Sequence, residues 1–229
     1  KERVAAKEVL SQIQLRDLKE NPAVPYEEDE VTRIIIDSLN LKVYDEIKEW
    51  TVGELREWIL SDEVGDREIQ WIRRGLTSEM IAAVTKLMSN LDLIRAAKKI
   101  IVKAHCNTTI GGEGVLAARV QPNHTTDDPD GIMISLLEGL SYGVGDAVIG
   151  LNPVDDTVDS VIRVLERFHE IKEKYQIPTQ TCVLAHVTTQ MEAIRRGAPS
   201  DLIFQSIAGS EKGNEAFGIT GAMIEEARQ

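Results

Sequence analysis

From about residue 100 onward, short apolar runs alternate with amphipathic stretches, and that alternation leaves few folds open. The apolar runs read as strands at residues 115–121, 147–152, 181–186 and 202–207, and the stretches after them as helices at 131–140, 158–175, 189–196 and 214–228. Four consecutive βα units predict an α/β fold, a partial (β/α)8 TIM barrel. Right-handed crossovers put the helices outside the sheet and leave the strand carboxyl ends as the place for chemistry.

Residues 1–99 read differently, as an all-helical N-terminal region preceding the N-terminal half of a barrel at 100–229. Trp50, Trp58 and Trp71 all fall in this first part, but only Gly53, Gly65 and Gly75 of the 16 glycines do. Helix-spaced apolar sets recur: Val31, Ile34, Ile35 and Leu39; Leu55, Trp58 and Ile59; Ile81, Val84 and Met88. Thr51 with Glu54 and Ser89 with Asp92 have capping-box spacing, and Thr77-Ser78 precedes an apolar run. The acidic run Glu27 to Glu30 is expected to be a solvated helix start.

Charge excludes some partners. With 38 acidic against 26 basic residues the net charge is −12, so a nucleic-acid backbone and an anionic membrane surface are both disfavoured. No apolar stretch is long enough to span a bilayer, and the first thirty residues lack a signal-peptide core. Cys106 and Cys182 have no paired spacing, which points to a reducing cytoplasm. A start at Lys1 rather than methionine suggests a piece of a longer chain.

The strand ends carry the polar groups of interest. Period-2 geometry puts Arg119 and Gln121 on one face. A lone strand arginine is ordinarily a surface or ion-pair residue, but small and apolar neighbours here argue equally for an inward, desolvated guanidinium. Asn152, before Pro153, reads either as a turn residue or as a ligand contact. Cys182 and His186 lie about 13 Å apart along a strand, which excludes a nucleophile–base dyad. His186 is expected to be a hydrogen-bonded or pocket-wall histidine, and Gln205 and Ser206 add neutral polar groups. Gly111-Gly112-Glu113-Gly114 and Gly143-Val144-Gly145 precede strands, so they read as turns rather than phosphate cradles. Asp127, Asp128, Asp155 and Asp156 read as helix caps.

No lysine falls in a predicted strand and no His or carboxylate cluster stands at a strand end, so Schiff-base and metal-hydrolase chemistry lack their groups. One arginine among neutral amides binds and orients a substrate while a cofactor supplies the difficult chemistry.

At these residues the sequence resembles the large subunit of ethanolamine ammonia-lyase. The matching motifs are Arg119-Val120-Gln121-Pro122-Asn123, the block 138–150, Asn152-Pro153, and the stretches 182–199 and 202–213, with a looser match at 73–79. The resemblance implies a β/α barrel with adenosylcobalamin over the strand carboxyl ends, and a small subunit that closes the site. It implies conversion of ethanolamine to acetaldehyde and ammonia by a radical mechanism. Arg119 and Asn152 would hold the substrate hydroxyl and Gln121 the amino group, while Pro153 and Gln205 would line the cobalamin. Val120 replaces the family's usual leucine, and Glu113 is a further difference.

In the family, the other half of the barrel supplies the carboxylates for the substrate ammonium, so this chain is expected to be inactive by itself. Unpaired sheet edges favour self-association of large subunits. Two other readings stand: a phosphate-binding barrel lyase or aldolase without cobalamin, and a non-catalytic assembly module. Carriage inside a bacterial microcompartment is left open beside the cytoplasm.

Overall fold

The computed structural model describes residues 1–229, which divide into two compact units. The first comprises Lys1–Ile101 with Gly209–Gly213, the second Val102–Ala208 with Asn214–Gln229.

The first unit is helical: α1 (Glu2–Gln12), α2 (Leu15–Glu20), α3 (Glu30–Asp37), α4 (Leu41–Ile47), α5 (Val52–Leu60), α6 (Asp66–Ile72), α7 (Ser78–Leu87) and α8 (Asn90–Lys98). The starts of α5 and α8 are the two capping boxes read from sequence, and Thr77 caps α7. At α5, Glu54 N–H donates to Thr51 Oγ1 at 3.1 Å and Thr51 N–H to Glu54 Oε2 at 2.7 Å, so two helix-end donors are satisfied within one turn. The core joins Leu15, Ile47, Val52, Leu55, Ile72, Met80 and Val84. Two periodic positions depart from expectation: Ile34 and Ile81 are exposed. The acidic run is also not wholly solvated. Asp29 is buried as the cap of α3, accepting from Thr32 N–H at 2.8 Å and from Glu211 N–H at 2.6 Å.

The second unit opens with an antiparallel hairpin, β1 (Ala104–His105) and β2 (Thr109–Ile110). There follow β3 (Arg119–Val120), α9 (Pro129–Ser141), β4 (Val148–Leu151), α10 (Val158–Tyr175), β5 (Thr181–Val183), α11 (Val187–Arg195), α12 (Glu211–Ala216), whose residues up to Gly213 belong to the first unit, and α13 (Gly221–Arg228). Strands β3, β4 and β5 are parallel and lie in chain order, the arrangement of consecutive βα units. Val120, Ile149, Leu151 and Val183 form the core with Ile132 and Leu136 of α9 and with Val161, Leu165 and Phe168 of α10. Alternation along the strands therefore turns Arg119, Gly150 and Cys182 to the other face.

Four expectations need correction. Residues 115–118 are not strand: Arg119 already pairs with Val148 at the start of β4, Ala118 bonds the turn before β4 (Gly145 N–H, Ala147 N–H and Asp146 Oδ1), and Leu116 is 97% exposed. β5 stops at Val183, level with the end of β4 at Leu151. Residues 202–207 form no strand: Leu202 N–H reaches Thr181 O at 3.1 Å, but at Phe204 the Gln190 side chain takes both backbone groups. Its Nε2 donates to Phe204 O at 2.7 Å and its Oε1 accepts from Phe204 N–H at 3.1 Å. The expected helix at 214–228 is also two helices. Gly218, at φ +71°, ends α12, and Thr220 caps α13 through Met223 N–H. The glycine runs are turns, with Gly111, Gly114, Gly143 and Gly145 at positive φ.

Candidate functional site at the strand carboxyl ends

Arg119 stands on the sheet face turned away from the helices. Two of its guanidinium nitrogens, Nε and Nη2, are sealed from solvent and have no hydrogen-bond partner. The guanidinium lies against the α-carbon of Gly150, and its Cζ is 5.4 Å from the centre of the Phe204 ring, within reach of a cation–π attraction. Burial pushes the Cys182 thiol up, while the nearby Arg119 charge pulls it down. The inward reading of Arg119 is thus the one the geometry supports, and its positive charge faces the sheet interior without an acceptor for those two nitrogens. A buried donor left unpaired costs about 1–3 kcal/mol, more when charged.

β3 pairs Arg119 with Val148 and Val120 with Ile149, and Gln121 follows directly after β3 as Asn152 does after β4, so these residues stand at the carboxyl ends of two adjacent strands. Gln121 and Asn152 are exposed at the open end, and Pro153 is half-buried behind them. The Gln205 side chain is committed to backbone groups: its Oε1 accepts from Val187 N–H at 2.8 Å and its Nε2 donates to Ser206 O at 2.9 Å. That leaves its amide oriented, with one further hydrogen to give. Val154 (68%) and Ile207 (65%) are exposed apolar residues of the segments that follow β4 and β5.

Asn123 and two aspartates expected to be helix caps, Asp127 and Asp156, tie these loops together. Asn123 Oδ1 accepts from Asn152 N–H at 2.9 Å, and Asp127 Oδ2 accepts from Val154 N–H and Asp155 N–H at 2.7 Å each. Asp156 Oδ2 accepts from His186 N–H at 3.0 Å. Each loop after a strand is thereby held by a neighbouring loop. Asp128 alone of the four aspartates caps a helix, accepting from Gly131 N–H at 2.8 Å. Asp127 sits at φ +50°, a left-handed conformation that Asp tolerates better than most residues. His186 caps α11, and its Nε2 lies 3.1 Å from Phe217 O. No three His, Cys, Asp or Glu side chains gather to hold a metal ion.

Beneath the strands, Asp201 binds Lys172 Nζ at 2.8 Å and Thr181 N–H at 2.9 Å. Burial opposes its ionisation, but these bonds outweigh burial and hold the carboxyl below its ordinary range. Gln180, wholly buried, bonds Thr108 of the hairpin. Both contacts serve the amino-terminal ends of the strands, away from the polar rim.

Consecutive parallel βα units, with an arginine turned to the helix-free face and amides at the strand ends, define an α/β protein with its polar groups gathered at the carboxyl ends of its strands. Within that class the chain belongs to the family described as ethanolamine ammonia lyase large subunit (EutB), which matches it over residues 1–229. It is 56% identical over 227 residues to the ethanolamine ammonia-lyase large subunit of Escherichia coli (strain K12), and equally so to that of Salmonella typhimurium (strain LT2). Each alignment covers 99% of this chain and 50% of the relative. The chain thus spans about half the length of the curated relatives it matches. No helix is long and apolar enough to cross a membrane.

Proposed function

We propose that this chain contributes the substrate-orienting half of an ethanolamine ammonia-lyase, a carbon–nitrogen lyase that converts ethanolamine to acetaldehyde and ammonia. Residues 1–99 are its helical region and 100–229 the N-terminal half of its β/α barrel, with the small subunit closing the site. The observation that carries this reading is Arg119, a guanidinium turned to the sheet interior with two nitrogens that no acceptor of the chain satisfies. Family membership supplies the substrate class.

Arg119 holds a fixed positive charge, because a guanidinium does not lose its proton in such a site. It orients the substrate hydroxyl and stabilises electron density that builds on that oxygen. Asn152, fixed through its backbone by Asn123, offers its amide to the same hydroxyl, and Gln121 offers its carbonyl oxygen to the amino group. Pro153, Val154, Ile207 and the oriented amide of Gln205 form a mixed apolar and amide rim that fits a flat cofactor bearing amide groups, as adenosylcobalamin does. When bound, that group supplies the radical chemistry that removes hydrogen from the carbon bearing oxygen. The neutral walls then keep water and stray hydrogen donors from the reacting centre.

The test uses the full-length large subunit assembled with the small subunit and supplied with adenosylcobalamin. The expected result is acetaldehyde release from ethanolamine, reduced about 100-fold or more by Arg119→Ala. Full turnover by Arg119→Ala would remove the reading.

A further inference from the structure

Gly150 has no backbone reason to be glycine. It lies inside β4, its φ is outside the left-handed region, and a parallel strand accepts alanine there at little cost. What excludes a side chain is one neighbour. A Cβ at position 150 would stand 2.6 Å from Arg119 Nη2 and 2.9 Å from both Cζ and Nε, and these are its three nearest atoms. The bare α-carbon therefore serves as the surface on which the guanidinium lies flat. The Phe204 ring, 5.4 Å from Cζ, adds a second contact from the segment beyond β5. Nε and Nη2 are sealed in this arrangement, whereas Nη1 is not.

We infer that Gly150 is a positioning residue that sets where Arg119 presents its charge, with Phe204 as its companion; the inference rests on Arg119 being the group that meets substrate. The opposing atoms belong to the far end of a flexible side chain, so Gly150→Ala is accommodated by moving the guanidinium rather than by disturbing the sheet. Opening 2.6 Å to an ordinary contact of 3.4 Å or more shifts the group by about 1 Å, a misplacement able to cost about 100-fold in rate. A purely structural glycine would instead show its loss in folding.

The experiment compares wild type, Gly150→Ala, Phe204→Leu and Arg119→Ala in the full-length large subunit with the small subunit. Three readouts are taken: Tm, the rate of phenylglyoxal adduct formation at Arg119 by mass spectrometry without cofactor, and kcat/KM for ethanolamine with it. For Gly150→Ala the expected result is a Tm within about 2 °C of wild type. Arg119 labelling rises about fivefold or more as the guanidinium leaves its seat, and kcat/KM falls about 100-fold. Phe204→Leu moves both in the same direction by less.

Unchanged labelling and unchanged kcat/KM in Gly150→Ala would overturn the inference. So would a collapse of folding, because Gly150 would then serve the backbone. If Arg119→Ala retains full turnover, the substrate reading fails by itself, and the labelling comparison still decides whether Gly150 seats the guanidinium.

Discussion

The helix starts of the first unit and the strand ends of the second satisfy their backbone groups in opposite ways. In the first, caps come from the same turn: Thr51 with Glu54, Ser89 with Asp92, Thr77 with Met80. In the second, the bonds that shape the strand ends join residues 27 to 30 positions apart: Asp127 with Val154, Asn123 with Asn152, Asp156 with His186. Local capping secures a helix whatever surrounds it. Lacing between loops secures a surface, and a binding surface must be made from several strands at once.

The largest effect that sharpens this contrast belongs to the core of the second unit, on which its loop lacing rests. Phe168→Ala, at a fully buried site of α10 between the sheet and α11, is expected to cost about 3–5 kcal/mol in urea unfolding of the second unit. Next is Asp127→Ala, which strands two amides at once and is expected to cost about 1–3 kcal/mol. Hydrogen exchange should quicken at Val154 and Asp155, far along the chain. Quickening confined to residues near 127 would break the comparison.

Thr51→Ala should cost about 1 kcal/mol, with faster exchange only at the start of α5. The smallest effect is in pH. The Ser89 N–H bond and Arg56 hold Asp92 at about 2 against an ordinary 3.8, so its contribution is full above about pH 4 and is lost as pH falls toward 2. Asp92→Asn should therefore lower Tm near neutrality and differ less from wild type near pH 2, in thermal melts run across that range.

The same contrast explains what could be read from sequence. Capping boxes lie within four residues and were legible in full, as was α10, whose long amphipathic period is unbroken. For Arg119, the sequence left an inward and a surface guanidinium equally open, because alternation fixes which residues share a face and not which face is covered. The lacing was not legible, because an aspartate near a helix start looks like a cap whether it bonds its own helix, as Asp128 does, or another loop, as Asp127 and Asp156 do. The missing strand at 202–207 depended on Gln190, an ordinary helix residue until the fold brings Phe204 beside it. The break in the last helix was legible in Gly218 and Thr220, a stop followed by a cap. Nothing local marked Gly150, whose meaning lies in a side chain from the next strand.

The central claim is that Arg119 awaits a substrate oxygen. A crystal structure of the full-length assembled protein with ethanolamine bound tests it most directly. The account predicts the hydroxyl oxygen about 2.7–3.2 Å from a guanidinium nitrogen of Arg119, with the guanidinium still resting on Gly150. Ethanolamine bound elsewhere, with Arg119 paired to a protein carboxylate, would contradict it.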